Sequence, residues 1–532
     1  MNATALISFA IALIAIVSIS WYKRQTPVNA LGFFFANKQL GYLSVGCALY
    51  FTNVSATEFI GGSQTAYINN MSVMAWGVSS VLAMLIVSEY IIPIYLKGKM
   101  LTTPDFLEKR FDSTTKKIAS LMFLVSYFAN ILPIILYGGA VAVNGLFHFT
   151  DHWPYGYFSM IALLVVCVGL LGLMYSTIGL KAIVVSDVLL AICLTLSGIL
   201  FLYFAFSHLG NGSIVKGIRL VTSSHQEHLN AIGTKNDAVP FYTMFTGMFI
   251  INLFYWGTEQ VMLQQALAGK SLIDIQKGIA MASFGKLLGP FLFILPGVLA
   301  VHAIPGIQNS VEAFPRMVSL VTPSVITGII GTVMFGSIIT SFSATLNSAS
   351  TLFVLNFYQP AKERKTGVKM KGEHVIKTAK RFEVIVCVVA ILVAPFIYFV
   401  KGSFYTYIQK VSACFSIPIF TIVLAGFATK WITSFAAKIG LIVCIAGYII
   451  TQFLLDTSIH FLHMIFILFL STMAIMAVIS KLYPSKTLAE PIRFSQSETA
   501  LHYWKHRHIV SIVLLVLMLA VFVLFSRWGV AK

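Results

Sequence analysis

The sequence predicts an all-α membrane protein of about fourteen transmembrane helices, and three observations lead there. Of its 532 residues 58% are hydrophobic and only 10% are charged, whereas a soluble domain is roughly a quarter charged. Apolar runs long enough to cross a bilayer, at about 20 residues each, recur along the chain between short polar loops. The basic residues crowd onto alternate loops, so the net charge of +18 reads as orientation against the membrane potential and anionic lipid rather than nucleic-acid binding.

The runs come in order. The first, 3–21, has no basic leader and is followed by Lys23 and Arg24, so it reads as a retained extra helix with its N-terminus outside. The second, 41–67, is apolar apart from Asn53-Val-Ser-Ala-Thr-Glu-Phe-Ile-Gly-Gly62. Runs at 74–96, 118–146, 155–175 and 181–207 follow it and close a first group over 41–207. A seventh run, 240–264, carries Asn252, Tyr255, Trp256, Gly257 and Glu259 in its interior. Runs at 278–303, 323–357, 383–400 and 404–428 complete a second group over 240–428, and 436–456, 459–480 and 509–526 are three accessory helices over 436–526. With the N-terminus outside, 27 of the 36 Lys and Arg fall on inside loops and seven outside. One missed or invented span would scramble that asymmetry, so it supports fourteen spans with both termini outside.

Polar groups at bilayer depth are expensive unless they line a cavity or pathway, and irregular backbone is tolerated there on the same condition. The second and seventh runs are therefore expected to be interrupted helices. They lie five spans apart, and five is odd, so consecutive five-span units have opposite orientations. Interruptions at matching positions of two such units are the pointer to an inverted-repeat secondary transporter with its site at the midplane.

Each intramembrane polar residue has a functional and a structural reading. Glu58 is a solute or ion ligand, or a satisfied core acid. Asp187, in the sixth run, is a cation or proton relay, or a carboxylate snorkelling to the inner face. Glu259 caps or pairs locally, and Glu89 pairs near the end of the third run. Lys286 lies about 12 Å of helix into the eighth run, too deep for easy snorkelling. It wants a carboxylate, carbonyls or solute hydroxyls. The stretch Ser337-Ile-Ile-Thr-Ser-Phe-Ser-Ala-Thr-Leu-Asn-Ser-Ala-Ser-Thr351 packs closely through small residues, or offers Thr340 and Ser341 as adjacent oxygens to a monovalent cation facing carbonyls freed by the broken helix.

Other classes are disfavoured. Cys47, Cys167, Cys193, Cys387, Cys414 and Cys444 all sit in apolar runs without metal spacing and read as small core hydrophobes. No GxxxxGK[ST] is present and the loops are too short for a nucleotide-binding domain. The intramembrane His, Asp and Glu lack metal or nucleophile spacing, so an enzyme is not expected. Lys362–Arg381 and Lys481–His508 read as solvated inner loops, with Trp504 at the interface.

Asn53-Val-Ser-Ala-Thr-Glu-Phe-Ile-Gly, Asn252-Leu-Phe-Tyr-Trp-Gly-Thr-Glu-Gln-Val-Met-Leu-Gln and Gly269-Lys-Ser-Leu-Ile-Asp-Ile-Gln-Lys-Gly resemble the sodium/solute symporter family, in its sodium/glucose (galactose) cotransporter branch. Thr102-Thr-Pro-Asp-Phe-Leu-Glu-Lys-Arg-Phe111 resembles that family's inner loop. The resemblance runs from about residue 30 to 430. It implies the LeuT-type fold of two inverted five-span units and Na+ as the coupling ion. The sodium ligands would be the carbonyls of Phe51, Val54 and Ser337 and the hydroxyls of Thr340 and Ser341, with Asp187 on the ion's release path. The sugar site would use Asn53, Glu58, Ser80, Asn252, Lys286 and Gln409, with Tyr255 stacked on the ring as inner gate and Trp256, Tyr127 and Tyr405 as walls. Bacterial galactose-transporting relatives differ in having glutamine for Glu58, glutamate for Gly77 and a basic residue for Gln265.

The resemblance thus implies a symporter importing a monosaccharide such as glucose or galactose by alternating access; the short inner loops suggest a bacterial plasma membrane, and a monomer is the expected unit. The alternatives are another polar solute (inositol, a sialic acid, an amino acid), proton coupling through Glu58 or Asp187, or, from other classes, a sugar sensor or ion channel. A channel would conduct without saturation by sugar, and a sensor would respond to sugar without net uptake.

Overall fold

Within a bilayer every backbone N–H and C=O must find a partner in the chain itself, and apolar runs meet that demand as helices. The computed structural model describes residues 3–24, 26–54, 57–307, 309–399, 404–455, 459–484 and 501–531. Ser55 and Ala56 of the interrupted stretch, the side chain of Tyr405 and residues 485–500 of the last inner loop fall outside them. The regular structure of the described residues is all helical, with no strand beyond one isolated bridge. Among the described residues twelve helices are long and apolar enough to cross a membrane.

In chain order the helices are α1 (Ala3–Tyr22), α2 (Tyr42–Asn53), α3 (Ser63–Ile68), α4 (Met71–Lys97), α5 (Ser113–Phe147), α6 (Gly156–Ser176) and α7 (Leu180–Leu209). Then come α8 (Gly247–Gly257), α9 (Gln260–Leu267), α10 (Leu272–Ala303), α11 (Ser324–Thr366) and α12 (Gly372–Phe399). The last four are α13 (Phe404–Ala428), α14 (Ser434–Leu454), α15 (Phe461–Leu482) and α16 (Arg507–Leu524). The twelve long helices omit the two runs expected to be interrupted, and each of those is split. The chain leaves α2 at Val54 (φ −74°, ψ 106°), and a single π turn, Thr57–Gly62, leads into α3. Between α8 and α9 the break falls at Thr258 (φ −133°, ψ −31°) and Glu259 (φ −60°, ψ 124°).

Burial divides the helices by role. The hydroxyl-rich α11 is 83% buried over its apolar window and α10 72%, against 17% for α1 and 11% for α16, so the polar helices form the core. Helix α2 packs between α10 and α7, and α11 packs against α1, α6, α7 and the second half of α5. Small residues allow the closest crossing: a Cβ on Gly278 of α10 would come within 2.7 Å of Val45 Cγ1 on α2, and one on Gly46 within 3.0 Å of the Gly278 carbonyl.

One end of the bundle is pinned by polar contacts. Leu40 N–H donates to the Ala268 carbonyl (3.1 Å), and Lys270 N–H donates back to Leu40 (3.0 Å), tying the start of α2 to the end of α9. Thr102 and Asp105 form a capping box at the helix Thr103–Arg110, satisfying two N–H groups that a helix start leaves open. Its Arg110 donates to the Thr429 and Ile432 carbonyls at 2.9 and 3.1 Å. Glu89 pairs with Arg507 at the base of α16 at 3.0 Å.

Candidate functional site

Where α2 and α8 break, their neighbours cannot close over the irregular backbone, and a cavity of about 240 Å³ remains. Eight of the residues assigned above to the sugar site line it, namely Asn53, Glu58, Ser80, Asn252, Tyr255, Trp256, Lys286 and Gln409, whereas Tyr127, expected as a wall, stands behind the lining. Apolar walls are added by Trp76 of α4 and by Ile131, Ile134 and Ile135 of α5.

Lys286 organises the polar side of the cavity. Its side chain is 7% exposed, and its ammonium donates to Asn53 Oδ1 and lies 3.4 Å from Glu58 Oε1. A buried ammonium without such partners would be strongly unfavourable. Asn53 in turn donates through Nδ2 to the Tyr255 hydroxyl at 2.9 Å. One chain of polar contacts thus joins α10, the end of α2 and α8, both broken helices included. A Cβ on Gly77 would lie 3.9 Å from the Lys286 ammonium, so the two positions between which the carboxylate moves in the galactose-transporting relatives face the same cation.

Asn252 donates to Ser79 at 3.1 Å, and Ser80 donates to the Gly77 carbonyl at 2.6 Å. On the opposite wall the Tyr127 hydroxyl donates to Glu259 Oε1. Glu259 was expected to cap or pair locally; it stands at the N-cap of α9, where the Gln260 and Val261 backbone lies within reach of its carboxylate, and it is held from α5 as well.

Beneath this layer lie the oxygens expected to hold sodium. The Ser341 hydroxyl donates to the Thr52 carbonyl at 2.9 Å, and Thr340 donates to the Ser337 carbonyl at 3.4 Å. All four of Thr52, Ser337, Thr340 and Ser341 are buried. Phe51 and Val54 lie at the same break, where the Phe51 carbonyl accepts the Val54 N–H at 3.0 Å, so the carbonyl turned towards Ser341 is that of Thr52.

Asp187 is fully buried, which removes the snorkelling alternative. Thr52 Oγ1 donates to its Oδ2 at 3.4 Å and accepts Gln265 Nε2 at 2.6 Å. Asp187 Oδ1 has no hydrogen-bond partner among the described residues. The oxygens gathered here are the Thr52 and Ser337 carbonyls, the Thr52, Thr340 and Ser341 hydroxyls and the Asp187 carboxylate, an all-oxygen set that suits a hard monovalent cation better than a thiolate- or imidazole-seeking metal. Thr52 and Gln265 were not singled out as ligands in the sequence. Neither is unusual by type, and only Gln265's departure from the basic residue of similar proteins marks it.

The family model described as "Sodium:solute symporter family" matches residues 33–444. The chain is 33% identical to an uncharacterized symporter, YidK, of Escherichia coli (strain K12), over 99% of this chain and 92% of the relative. It is 28% identical to a sodium/glucose cotransporter of Vibrio parahaemolyticus over 89% of each. With sodium/myo-inositol cotransporter 2 of Homo sapiens it shares 24% identity over 86% of this chain and 73% of the relative. A solved structure of a Na+-coupled sialic acid symporter, substrate-bound and outward-open, has the same fold, with a TM-score of 0.78 at 17% identity over 91% of this chain and 100% of that one.

Proposed function

The chain belongs to the sodium:solute symporter family, and from that premise we propose that its solute is a monosaccharide or related polyol, imported by alternating access. A multi-pass membrane protein with sodium as coupling ion follows from the family; the sugar is the further step. The observation that carries it is the convergence on one cavity of an engaged ammonium, a carboxylate and amide side chains beside Tyr255, Trp256 and Trp76. Sugar hydroxyls need donors and acceptors together, while the C–H face of the ring prefers an aromatic plane. The glucose and myo-inositol relatives support the same solute class.

In this reading sodium enters from outside and binds between Thr52 and Ser341, with Thr340 and the carbonyls of Val54 and Ser337 beside it. That fixes α2 against α11. The solute then bridges Lys286, Asn53 and Glu58, and the outer path closes. Tyr255 moves aside, breaking its bond to Asn53, and sodium leaves past Asp187. One sodium crossing a ~100 mV potential supplies about 2.3 kcal/mol, and a tenfold gradient adds about 1.4 kcal/mol. Together they support solute accumulation on the order of a few hundredfold.

Counting α2 with α3 and α8 with α9 as one interrupted span each adds two to the twelve long helices and gives fourteen. Residues 41–207 and 240–428 are then two inverted five-span units, with both termini outside a bacterial plasma membrane and the monomer as transport unit. The test is uptake of labelled D-glucose, D-galactose and myo-inositol into proteoliposomes under an inward sodium gradient. The sugar reading stands if one of them accumulates with sodium and not with choline, and fails if none does.

A further inference from the structure

Three charged side chains line the cavity: the carboxylates of Glu58 and Glu259 and the ammonium of Lys286. Two carboxylates and one ammonium leave these side chains with a net charge of about −1, and the sodium proposed to bind first between Thr52 and Ser341 on the same cavity brings the total to about zero, so the solute meets no excess of positive charge. The one ammonium is already engaged by Asn53 Oδ1 and by Glu58 Oε1 at 3.4 Å. Glu58 is 27% exposed and Lys286 7%, so the acid, not the base, is the more accessible face of the pair.

A carboxylate-bearing solute entering this space loses its water and finds the cation committed, with Glu58 beside it as a like charge. Like-charge juxtaposition in a desolvated site costs several kcal/mol and is a means of rejecting wrong partners. An uncharged polyol meets no such opposition. Its hydroxyls donate to Glu58 and accept from Lys286 and the Asn53 and Asn252 amides. Resting on the sugar reading above, we infer that Glu58 sets the charge selectivity of the pocket: by neutralising Lys286 it admits uncharged polyhydroxylated solutes and rejects carboxylated ones such as uronic and sialic acids.

The experiment measures sodium-driven uptake of labelled D-glucose, D-galactose and myo-inositol into proteoliposomes, each challenged with unlabelled D-glucuronate or D-galacturonate. For the wild type, a neutral solute accumulates and the uronates compete at least about tenfold more weakly than the unlabelled neutral solute. Glu58→Gln frees Lys286, and uronate competition strengthens by roughly tenfold; Glu58→Asp keeps the charge and keeps the rejection. Uronates that compete as well as neutral sugars in the wild type, or accumulate themselves, overturn the inference and leave sugar transport standing. Unchanged uronate competition in a transporting Glu58→Gln variant overturns the assignment to Glu58. If that variant does not fold, the wild-type competition decides alone. Accumulation of no sugar, neutral or acidic, overturns the sugar reading and this inference with it.

Discussion

The Ser341 hydroxyl donates to the Thr52 carbonyl across 2.9 Å, joining the middle of α11 to the last turn of α2 just before that helix breaks. On the proposed reading a sodium ion bound at this seam would draw on the same two oxygens, which makes the ion and the interhelical hydrogen bond alternatives at one place. Ser341→Ala removes one of them without changing the helix. The expected result is a rise of roughly tenfold or more in the sodium concentration that half-activates uptake, equivalent to about 1.4 kcal/mol of binding. Sodium activation curves check it, and an unchanged curve removes Ser341 from the ion site.

Asn53 is the link between Lys286 and Tyr255. Asn53→Ala leaves a buried ammonium with one acceptor fewer and Tyr255 OH without its donor. Losing a hydrogen bond to a charged group costs about 1.5–3 kcal/mol. The solute KM is therefore expected to rise on the order of tenfold to a hundredfold, with half-activating sodium nearly constant. A variant that shifts both equally would place Asn53 at the ion site.

Asp187 is fully buried and is reached from α2 through Thr52. If it receives sodium leaving inward, Asp187→Asn should slow net uptake severalfold while solute exchange across the membrane persists. Paired net-uptake and counterflow assays separate the two. Loss of sodium-dependent binding in the variant would instead make Asp187 a ligand of the bound ion.

The crossing of α2 and α10 depends on Gly278, whose Cβ would press to 2.7 Å on Val45. Gly278→Ala should destabilise the protein by about 1–3 kcal/mol, the usual cost of overpacking. Thermal unfolding in detergent is expected to show a lower Tm, whereas an unchanged Tm would mean that the helices can separate without penalty.

The polar side of the cavity was in part legible in the sequence, because polar residues inside apolar runs have few places to go, while Ser80 and Gln409 entered only through the resemblance. Lys286 is too deep to snorkel, and it does turn inward, to Asn53 and Glu58. The breaks in the second and seventh runs announced themselves through Asn53–Gly62 and Asn252–Glu259, and both helices are split there. What stayed hidden depends on backbone direction and on distant pairing. Which carbonyl faces Ser341 is fixed by the torsions at the break, and the chain turns Thr52 towards it while Phe51 accepts Val54 N–H. Tyr127 and Glu259 are 132 residues apart, and no local pattern connects them. Thr52 and Gln265 are residue types common in any helix, so their bridge to Asp187 appears only when α2, α7 and α9 are brought together.

Coupling is reciprocal by thermodynamic necessity, and that gives the most direct test of sodium–solute symport through one cavity. Wild-type proteoliposomes are loaded with equal sodium on both sides and given an inward gradient of the neutral sugar that they take up. The account predicts that the sugar gradient drives radiolabelled sodium inward above its equilibrium level, and that Ser341→Ala lowers this flux severalfold at a sodium concentration below the wild-type half-activating value. Sugar entry with no accompanying movement of sodium would contradict it.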